Sequence, residues 1–184
     1  MCRYRNTGQI CISANRILVQ DGIYDAFVEG FIAGAASLAI VQGTEPTSMM
    51  EPLIDDQGLE KVEAHVGDAI AKGATLHIGG ARHTLRQTFY QSTVLSGIKA
   101  NMAIYNQESF CPVAGIMRFS DEAEALRIAN DTPYGLVAYF YSRDVGRIWR
   151  LPEGLEYGML GINTCMILTE SAPFGRIKEL GIGR

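Results

Sequence analysis

The sequence predicts an α/β fold, with a largely parallel sheet covered by helices on both faces. Short runs rich in β-branched and apolar residues alternate with segments whose apolar residues recur at helical spacing, in the order β-α-α-β-β-β-α-β-α-β. Alternation of this kind is typical of parallel sheets packed between helices. The chain has 184 residues, 47% of them apolar, which is enough for a sizeable single core.

The first elements are a strand at Arg16–Gln20 and a helix whose apolar stripe runs over 23–38. A second helix is expected to begin at Asp55 or Asp56, since an aspartate is a good N-cap, and to end at Gly73. Apolar residues at helical spacing over 59–70 give this helix its buried face.

The later elements are mostly short strands. One of them starts at Pro112, where a missing N–H is tolerable. Ser120 is expected to cap the following helix, although Ala123 stands where a capping box would have an acid. The predicted strands are Ala74–Ile78, Thr88–Leu95, Pro112–Phe119, Leu136–Ser142 and Gly158–Asn163, and the predicted helices are Asp121–Asn130 and Arg143–Leu151.

Composition excludes several classes of function. The net charge is −4 with both signs spread along the chain, so no basic patch points to nucleic acid. No stretch approaches the length of about 18 apolar residues that a membrane span needs. The four cysteines lie far apart without a CxxC pair, which argues against a metal site and favours a reducing, cytoplasmic setting.

Cys11 is the strongest candidate for chemistry. It ends the stretch "RNTGQIC", in which Gly8 can adopt a positive φ and main-chain N–H groups can favour a thiolate. For a lone cysteine, a small buried apolar role is the more common alternative. The three histidines, His65, His77 and His83, share no motif with a cysteine, so a Cys–His dyad has no support in the sequence.

Several segments resemble the aldehyde dehydrogenase superfamily in the right order. "RNTGQIC" is similar to its catalytic-cysteine motif, and "ESFCP" to its E-x-F-G-P segment. "NDTPYGLVAYFYSRD", "LEYGMLGIN" and "APFGRIKELGIGR" resemble later segments. The resemblance runs the whole length of the chain and, within the superfamily, is greatest to succinate-semialdehyde dehydrogenases.

The resemblance implies an NAD- or NADP-dependent oxidation of a small aldehyde and gives a role to each of six residues. Cys11 would be the nucleophile, and its own N–H would form half of an oxyanion hole. Glu108 would hold the ribose hydroxyls of the cofactor, with Phe110 beside the nicotinamide. Arg5 would grip a distal carboxylate of the substrate. Leu168 and Phe174 would line the substrate pocket.

The sequence departs from the family pattern at four places. Cys111 replaces the glycine of E-x-F-G-P, Arg176 the second glycine of P-F-G-G, Leu180 the serine of K-x-S-G, and Leu168 a serine of the substrate pocket. These losses keep an alternative open, in which the chain is a noncatalytic relic or an interaction module that retains the fold.

The resemblance also implies an organisation for residues 1–184. They would form a single catalytic domain that lacks the N-terminal cofactor-binding domain and the C-terminal oligomerisation segment of the family. The isolated chain is then expected to be inactive, because little of the cofactor would be held. We expect a homo-oligomer, with a separate cofactor-binding half as a further possible partner, and no nucleic-acid or membrane partner.

Overall fold

The computed structural model describes residues 3–85, 87–170, 172–181 and 183. They form two compact units, one over Arg3–Phe119 and the other from Ser120 onward. Within these described ranges, no helix is both long and apolar enough to cross a membrane. The organisation of residues 1–184 as one catalytic domain stays a prediction.

The first unit is built on a four-stranded sheet. Its strands are β1 (Arg16–Gln20), β2 (Thr75–Ile78), β3 (Thr93–Ser96) and β4 (Val113–Phe119), in the spatial order β1-β4-β3-β2. Strand β4 pairs in parallel with β1 and β3, whereas β2 runs antiparallel to β3. The predicted α/β class with a mostly parallel sheet is therefore confirmed.

Three helices accompany this sheet, namely α1 (Tyr24–Ala36), α2 (Asp56–Ala71) and α3 (Ala103–Asn106). Asp55 caps α2 as predicted, because its side chain accepts a hydrogen bond of 2.8 Å from the N–H of Gly58. Helix α3 was not predicted, since four residues are too few to show a helical period.

The core of the first unit lies where α1 packs on the sheet. Val28 and Ala35 of α1 meet Val94 of β3 and Ile116 of β4, all of them buried. Tyr4 enters the same core from the segment just before Cys11, and its hydroxyl donates a 2.8 Å hydrogen bond to the Thr93 carbonyl. The start of the candidate catalytic loop is thereby anchored in the core.

The second unit contains two small sheets and two helices. β5 (Tyr134–Gly135) pairs antiparallel with β8 (Ile177–Lys178), and β6 (Val137–Phe140) pairs in parallel with β7 (Met159–Ile162). The helices are α4 (Glu122–Asn130) and α5 (Val145–Gly154).

The predicted cap of α4 is wrong by one residue. The N-cap is Asp121, whose carboxylate accepts a 2.9 Å hydrogen bond from the N–H of Glu124. The Glu124 carboxylate in turn accepts hydrogen bonds from the N–H and the hydroxyl of Ser120, at 2.8 and 2.7 Å. An aspartate cap with a glutamate three residues later satisfies more N–H donors than Ser120 with Ala123 could, so the helix starts later.

Candidate active site

The turn before Cys11 has an unusual backbone. Asn6, Thr7 and Gly8 have φ angles of 49°, 57° and 75°, so three successive residues are left-handed. For the β-branched Thr7 this conformation is a genuine outlier. Left-handed backbone costs about 1–2 kcal/mol for each non-glycine residue, and such strain concentrates at functional sites.

Side-chain hydrogen bonds hold this turn in place. Thr7 is fully buried, and its hydroxyl both donates to the carbonyl of Glu51, at 3.0 Å, and accepts from its N–H, at 2.8 Å. The side-chain amide of Gln9 donates to the carbonyl of Pro52 and accepts from the N–H of Ile54. The segment 51–54 therefore buttresses the turn through backbone groups that would otherwise need other partners.

Gly8 brings the turn against a second segment. A Cβ placed at Gly8 would overlap the carbonyl oxygen of Cys111 and lie 2.8 Å from its carbonyl carbon. Buried Arg3 reaches the same place, because its guanidinium donates to the carbonyl oxygens of Cys111 and Val113. The segments "RNTGQIC" and "ESFCP", which are about 100 residues apart in sequence, are thus in direct contact.

Cys11 itself is exposed, whereas the next residue, Ile12, is buried. The thiol is therefore accessible to a small molecule, and the alternative of a buried structural cysteine does not apply. The three histidines have other partners. His65 Nε2 lies 3.0 Å from Gln107 Oε1, His77 Nε2 lies 2.7 Å from Ser96 Oγ, and His83 Nδ1 accepts a hydrogen bond of 3.3 Å from the N–H of Leu85. This agrees with the expectation of satisfied or solvated histidines, except that the buried Nδ1 of His65 has no hydrogen-bond partner among the described residues.

Glu108 and Phe110 are both exposed, on either side of the buried Ser109. Phe110 has a left-handed φ of 48°. Asn15 fixes the residue between them, since its Oδ1 accepts hydrogen bonds from the Ser109 N–H, at 3.0 Å, and hydroxyl, at 2.7 Å. The pinned segment thus presents an accessible carboxylate and an accessible aromatic ring.

The cysteine that replaces a family glycine sits in ordinary backbone. Cys111 is buried, and neither it nor Arg176 is among the described residues with positive φ. Burial raises the pKa of the Cys111 thiol, although the charge of Arg3 opposes the effect. The two replaced glycines therefore introduce no left-handed strain.

We expect iodoacetamide to modify Cys11 before Cys111. Cys11 is exposed, whereas Cys111 is buried with a raised pKa, and only the thiolate reacts. Peptide mapping by mass spectrometry at pH 8 should give a rate for Cys111 that is roughly tenfold or more below that for Cys11. Both should react equally in the urea-unfolded chain, and equal rates in the folded chain would contradict the assigned burial.

The predicted substrate residues fall in both units. Arg5 belongs to the first and is exposed. Leu168 and Phe174 belong to the second, where both line a cavity of about 230 Å³ together with Met159, Ile167 and Glu170. The structure thus brings the two predicted pocket residues together on one cavity with a largely apolar wall.

Sequence reasoning missed Arg3, Thr7, Asn15 and Ser109, which hold the site together. Arg3 gave no signal, because an arginine is normally exposed. Thr7 lies inside the stretch "RNTGQIC", but nothing in its neighbours indicates a left-handed threonine.

A group of three or more His, Cys, Asp or Glu side chains able to hold a metal ion does not occur in the described ranges.

Comparison with known proteins decides the family. The model of the aldehyde dehydrogenase family matches residues 1–184. The chain belongs to the aldehyde dehydrogenase family. It is 48% identical to a 3-sulfolactaldehyde dehydrogenase of Pseudomonas putida over 184 residues, covering 100% of this chain and 38% of the relative.

Two further relatives bear on substrate and cofactor. An NADP(+)-dependent succinate-semialdehyde dehydrogenase of Escherichia coli is 46% identical over 99% of this chain and 38% of its own length. The crystal structure of succinate-semialdehyde dehydrogenase from Burkholderia pseudomallei superposes with a TM-score of 0.98 at 49% identity, covering 100% of this chain and 38% of that one. The resemblance to semialdehyde dehydrogenases is confirmed, and the chain spans about 38% of the length of these relatives.

Proposed function

We propose that this chain is the catalytic portion of an NAD(P)-dependent aldehyde dehydrogenase that oxidises succinate semialdehyde. The observation that supports this most is the exposed position of Cys11 at the end of a strained turn. That turn contacts, through Gly8, the segment that carries Glu108 and Phe110. Strain held by buried hydrogen bonds is costly to maintain and is common where a reactive group must be placed.

Cys11 acts as the nucleophile in this proposal. Its thiolate attacks the aldehyde carbon, a C–S bond forms, and the carbonyl π electrons move to oxygen as a thiohemiacetal oxyanion. The N–H of Cys11 donates a hydrogen bond to that oxygen and lowers the barrier. Attack of water on the later thioester carbon breaks the C–S bond, releases the carboxylate and returns the Cys11 thiol.

Glu108 and Phe110 are proposed to hold the cofactor. When bound, NAD(P)⁺ supplies the acceptor for the hydride that leaves the thiohemiacetal carbon. The exposed Glu108 carboxylate would accept hydrogen bonds from ribose hydroxyls, and the exposed Phe110 ring would pack beside the nicotinamide. Because Asn15 pins Ser109 between them, both side chains are held by a segment that cannot drift freely.

Arg5, Leu168 and Phe174 are proposed to select the substrate. 3-Sulfolactaldehyde and succinate semialdehyde both carry an anionic group at the end distal to the aldehyde, and a guanidinium binds such a group bidentately. Leu168 and Phe174 line a cavity within the second unit, and its apolar wall suits a short carbon chain. Leu168 supplies no hydroxyl, so Arg5 carries most of the selection in this chain.

The relic alternative rested on glycines replaced by Cys111 and Arg176. Their ordinary backbone weakens that argument, and the exposed Cys11 favours catalysis. The cytoplasmic setting stays a prediction. The choice between NAD and NADP stays open. Homo-oligomerisation and the inactivity of the isolated chain stay predictions.

Substrate selection by Arg5 can be tested in a chimera, in which this chain replaces the matching 38% of the Burkholderia pseudomallei enzyme. We expect Arg5→Ala to lower kcat/KM for succinate semialdehyde relative to butyraldehyde by about 10–100-fold, because a hydrogen-bonded charge pair contributes about 1.5–3 kcal/mol. Reduced cofactor is followed by absorbance.

The matched control is Arg82→Ala, which removes an exposed arginine paired with Glu63. It should leave the ratio of the two substrates unchanged. A chimera without cofactor-dependent oxidation would refute the proposed function. Oxidation with equal preference for both substrates, or an unchanged preference after Arg5→Ala, would refute only the role of Arg5.

A further inference from the structure

Arg3 is a buried cation whose side-chain hydrogen bonds to the described residues go to neutral groups. Its side chain is buried, and Nε donates to the Val113 carbonyl at 2.6 Å. Nη2 donates to the Cys111 carbonyl at 2.7 Å and to the Ser109 hydroxyl at 2.5 Å, and Nη1 donates to the Ser13 hydroxyl at 3.1 Å. Three donor nitrogens of one guanidinium therefore serve four acceptors.

The acceptors lie on the two parts of the candidate site. Ser13 follows Cys11 by two residues, and its hydroxyl donates back to the Arg3 carbonyl at 3.0 Å. Ser109, Cys111 and Val113 belong to the segment that carries the proposed cofactor contacts. Arg3 thus connects the two segments. The connection requires the planar fork of donors that a guanidinium has and that a neutral side chain of similar length lacks.

Asn15 completes the connection from the other end of the loop. Its Oδ1 accepts from the N–H and hydroxyl of Ser109, and its Nδ2 donates to the Gln107 carbonyl at 3.1 Å. Ser109 is the shared group, because its hydroxyl accepts from Arg3 and donates to Asn15. Arg3 and Asn15 flank Cys11, so both ends of its loop are tied to the same short segment.

Stability alone is a weak reason for this arrangement. Burial of a cation in neutral surroundings is costly, and an apolar side chain of similar volume often gives a fold at least as stable. Burial lowers the pKa of the Arg3 guanidinium. What the fork of donors provides is a fixed geometry between the segments it bridges.

We propose that Arg3 is a positioning residue that fixes the Cys11 loop against the Glu108–Phe110 segment and so sets the separation between the thiol and the cofactor-binding side chains. This inference rests on the proposed function. It predicts that Arg3 matters for the step that needs both Cys11 and the nicotinamide, and much less for reactions that need Cys11 alone.

The test compares two activities of the chimera. Oxidation of succinate semialdehyde needs the thiol and the cofactor together, whereas hydrolysis of p-nitrophenyl acetate needs only the thiol and water. In Arg3→Lys, which keeps the charge but lacks the fork, we expect kcat for oxidation to fall about 10–100-fold, the effect of a misplacement of roughly 1 Å. Ester hydrolysis and KM for the aldehyde should change less than threefold.

Two further variants separate positioning from folding. Ser109→Ala removes the shared hydroxyl but leaves Arg3 its carbonyl acceptors, and it should shift the ratio of the two activities in the same direction as Arg3→Lys. Arg82→Lys is the matched control at an exposed arginine, and it should leave the ratio unchanged. An equal fall of both activities in Arg3→Lys would mean that Arg3 only holds the fold, and would overturn the inference.

A measurement on the 184-residue chain needs no cofactor. A nitroxide is attached to Cys11 in a background in which Cys2 and Cys165 are replaced by serine, and the amide NMR signals of Glu108 and Phe110 are followed. We expect strong paramagnetic broadening that weakens in Arg3→Lys and persists in Arg82→Lys. Unchanged broadening in Arg3→Lys would overturn the inference even where the chimera oxidises no aldehyde, an outcome that would refute the proposed function separately.

Discussion

Replacing Cys11 with alanine is expected to abolish aldehyde oxidation by the chimera, with a fall in kcat of about 10⁴-fold or more. Loss of a nucleophile removes the covalent route altogether, and the activity that remains comes from binding and the oxyanion contacts alone. Cys11 is exposed, so the substitution leaves no cavity and the fold should be unaffected. Burst-phase absorbance of the reduced cofactor gives the rate of the chemical step.

The matched control for this prediction is Cys165→Ala. Cys165 is another cysteine, and it lies in the second unit. It should retain oxidation within a factor of about three, because the proposed mechanism assigns no reacting group to Cys165. Residual activity above 1% in Cys11→Ala, or a comparable loss in Cys165→Ala, would show that another group carries the chemistry.

The sequence indicated the elements of the fold better than their pairing. The period of apolar residues located β1, α1, α2 and β4 within a few residues. It could not reveal that β2 joins the sheet antiparallel, because neighbours in a sheet are chosen by long-range contacts. The strand predicted to begin at Thr88 begins at Thr93, since Phe89 and Gln91 bond instead to the loop at 81–83.

The sequence predicted the proposed reactive groups of the candidate site, but it did not predict the side chains that hold them in place. Cys11, Glu108 and Phe110 came from a resemblance of motifs, and the roles given to them are still untested. Arg3 and Thr7 act through partners that are 40 to 110 residues away in sequence, such as Glu51 and Val113. A pattern of neighbouring residues carries no trace of such contacts, so these side chains could be recognised only from the structure.

Gly8→Ala is expected to have the largest effect on stability of any single substitution in the loop. The φ of Gly8 is 75°, which costs an alanine about 1–2 kcal/mol. The new Cβ would also overlap the carbonyl of Cys111, a backbone group that cannot rotate away. Overpacking of this kind costs about 1–3 kcal/mol, so the free energy of unfolding should fall by about 2–5 kcal/mol in all.

Gly67→Ala provides a control of opposite sign. A Cβ at Gly67 would have no neighbour within 4 Å, and the residue lies inside α2 without a positive φ. Alanine should therefore stabilise the chain by up to about 1 kcal/mol, the helix-propensity difference from glycine. Urea unfolding of the 184-residue chain measures both substitutions. If Gly8→Ala unfolds with the same midpoint as the unsubstituted chain, the turn does not press against Cys111.

Since both the strain and the overlap act on the backbone three residues before the thiol, the chimera carrying Gly8→Ala should also lose oxidation by about 100-fold, the effect of a shift of roughly 1 Å in the nucleophile.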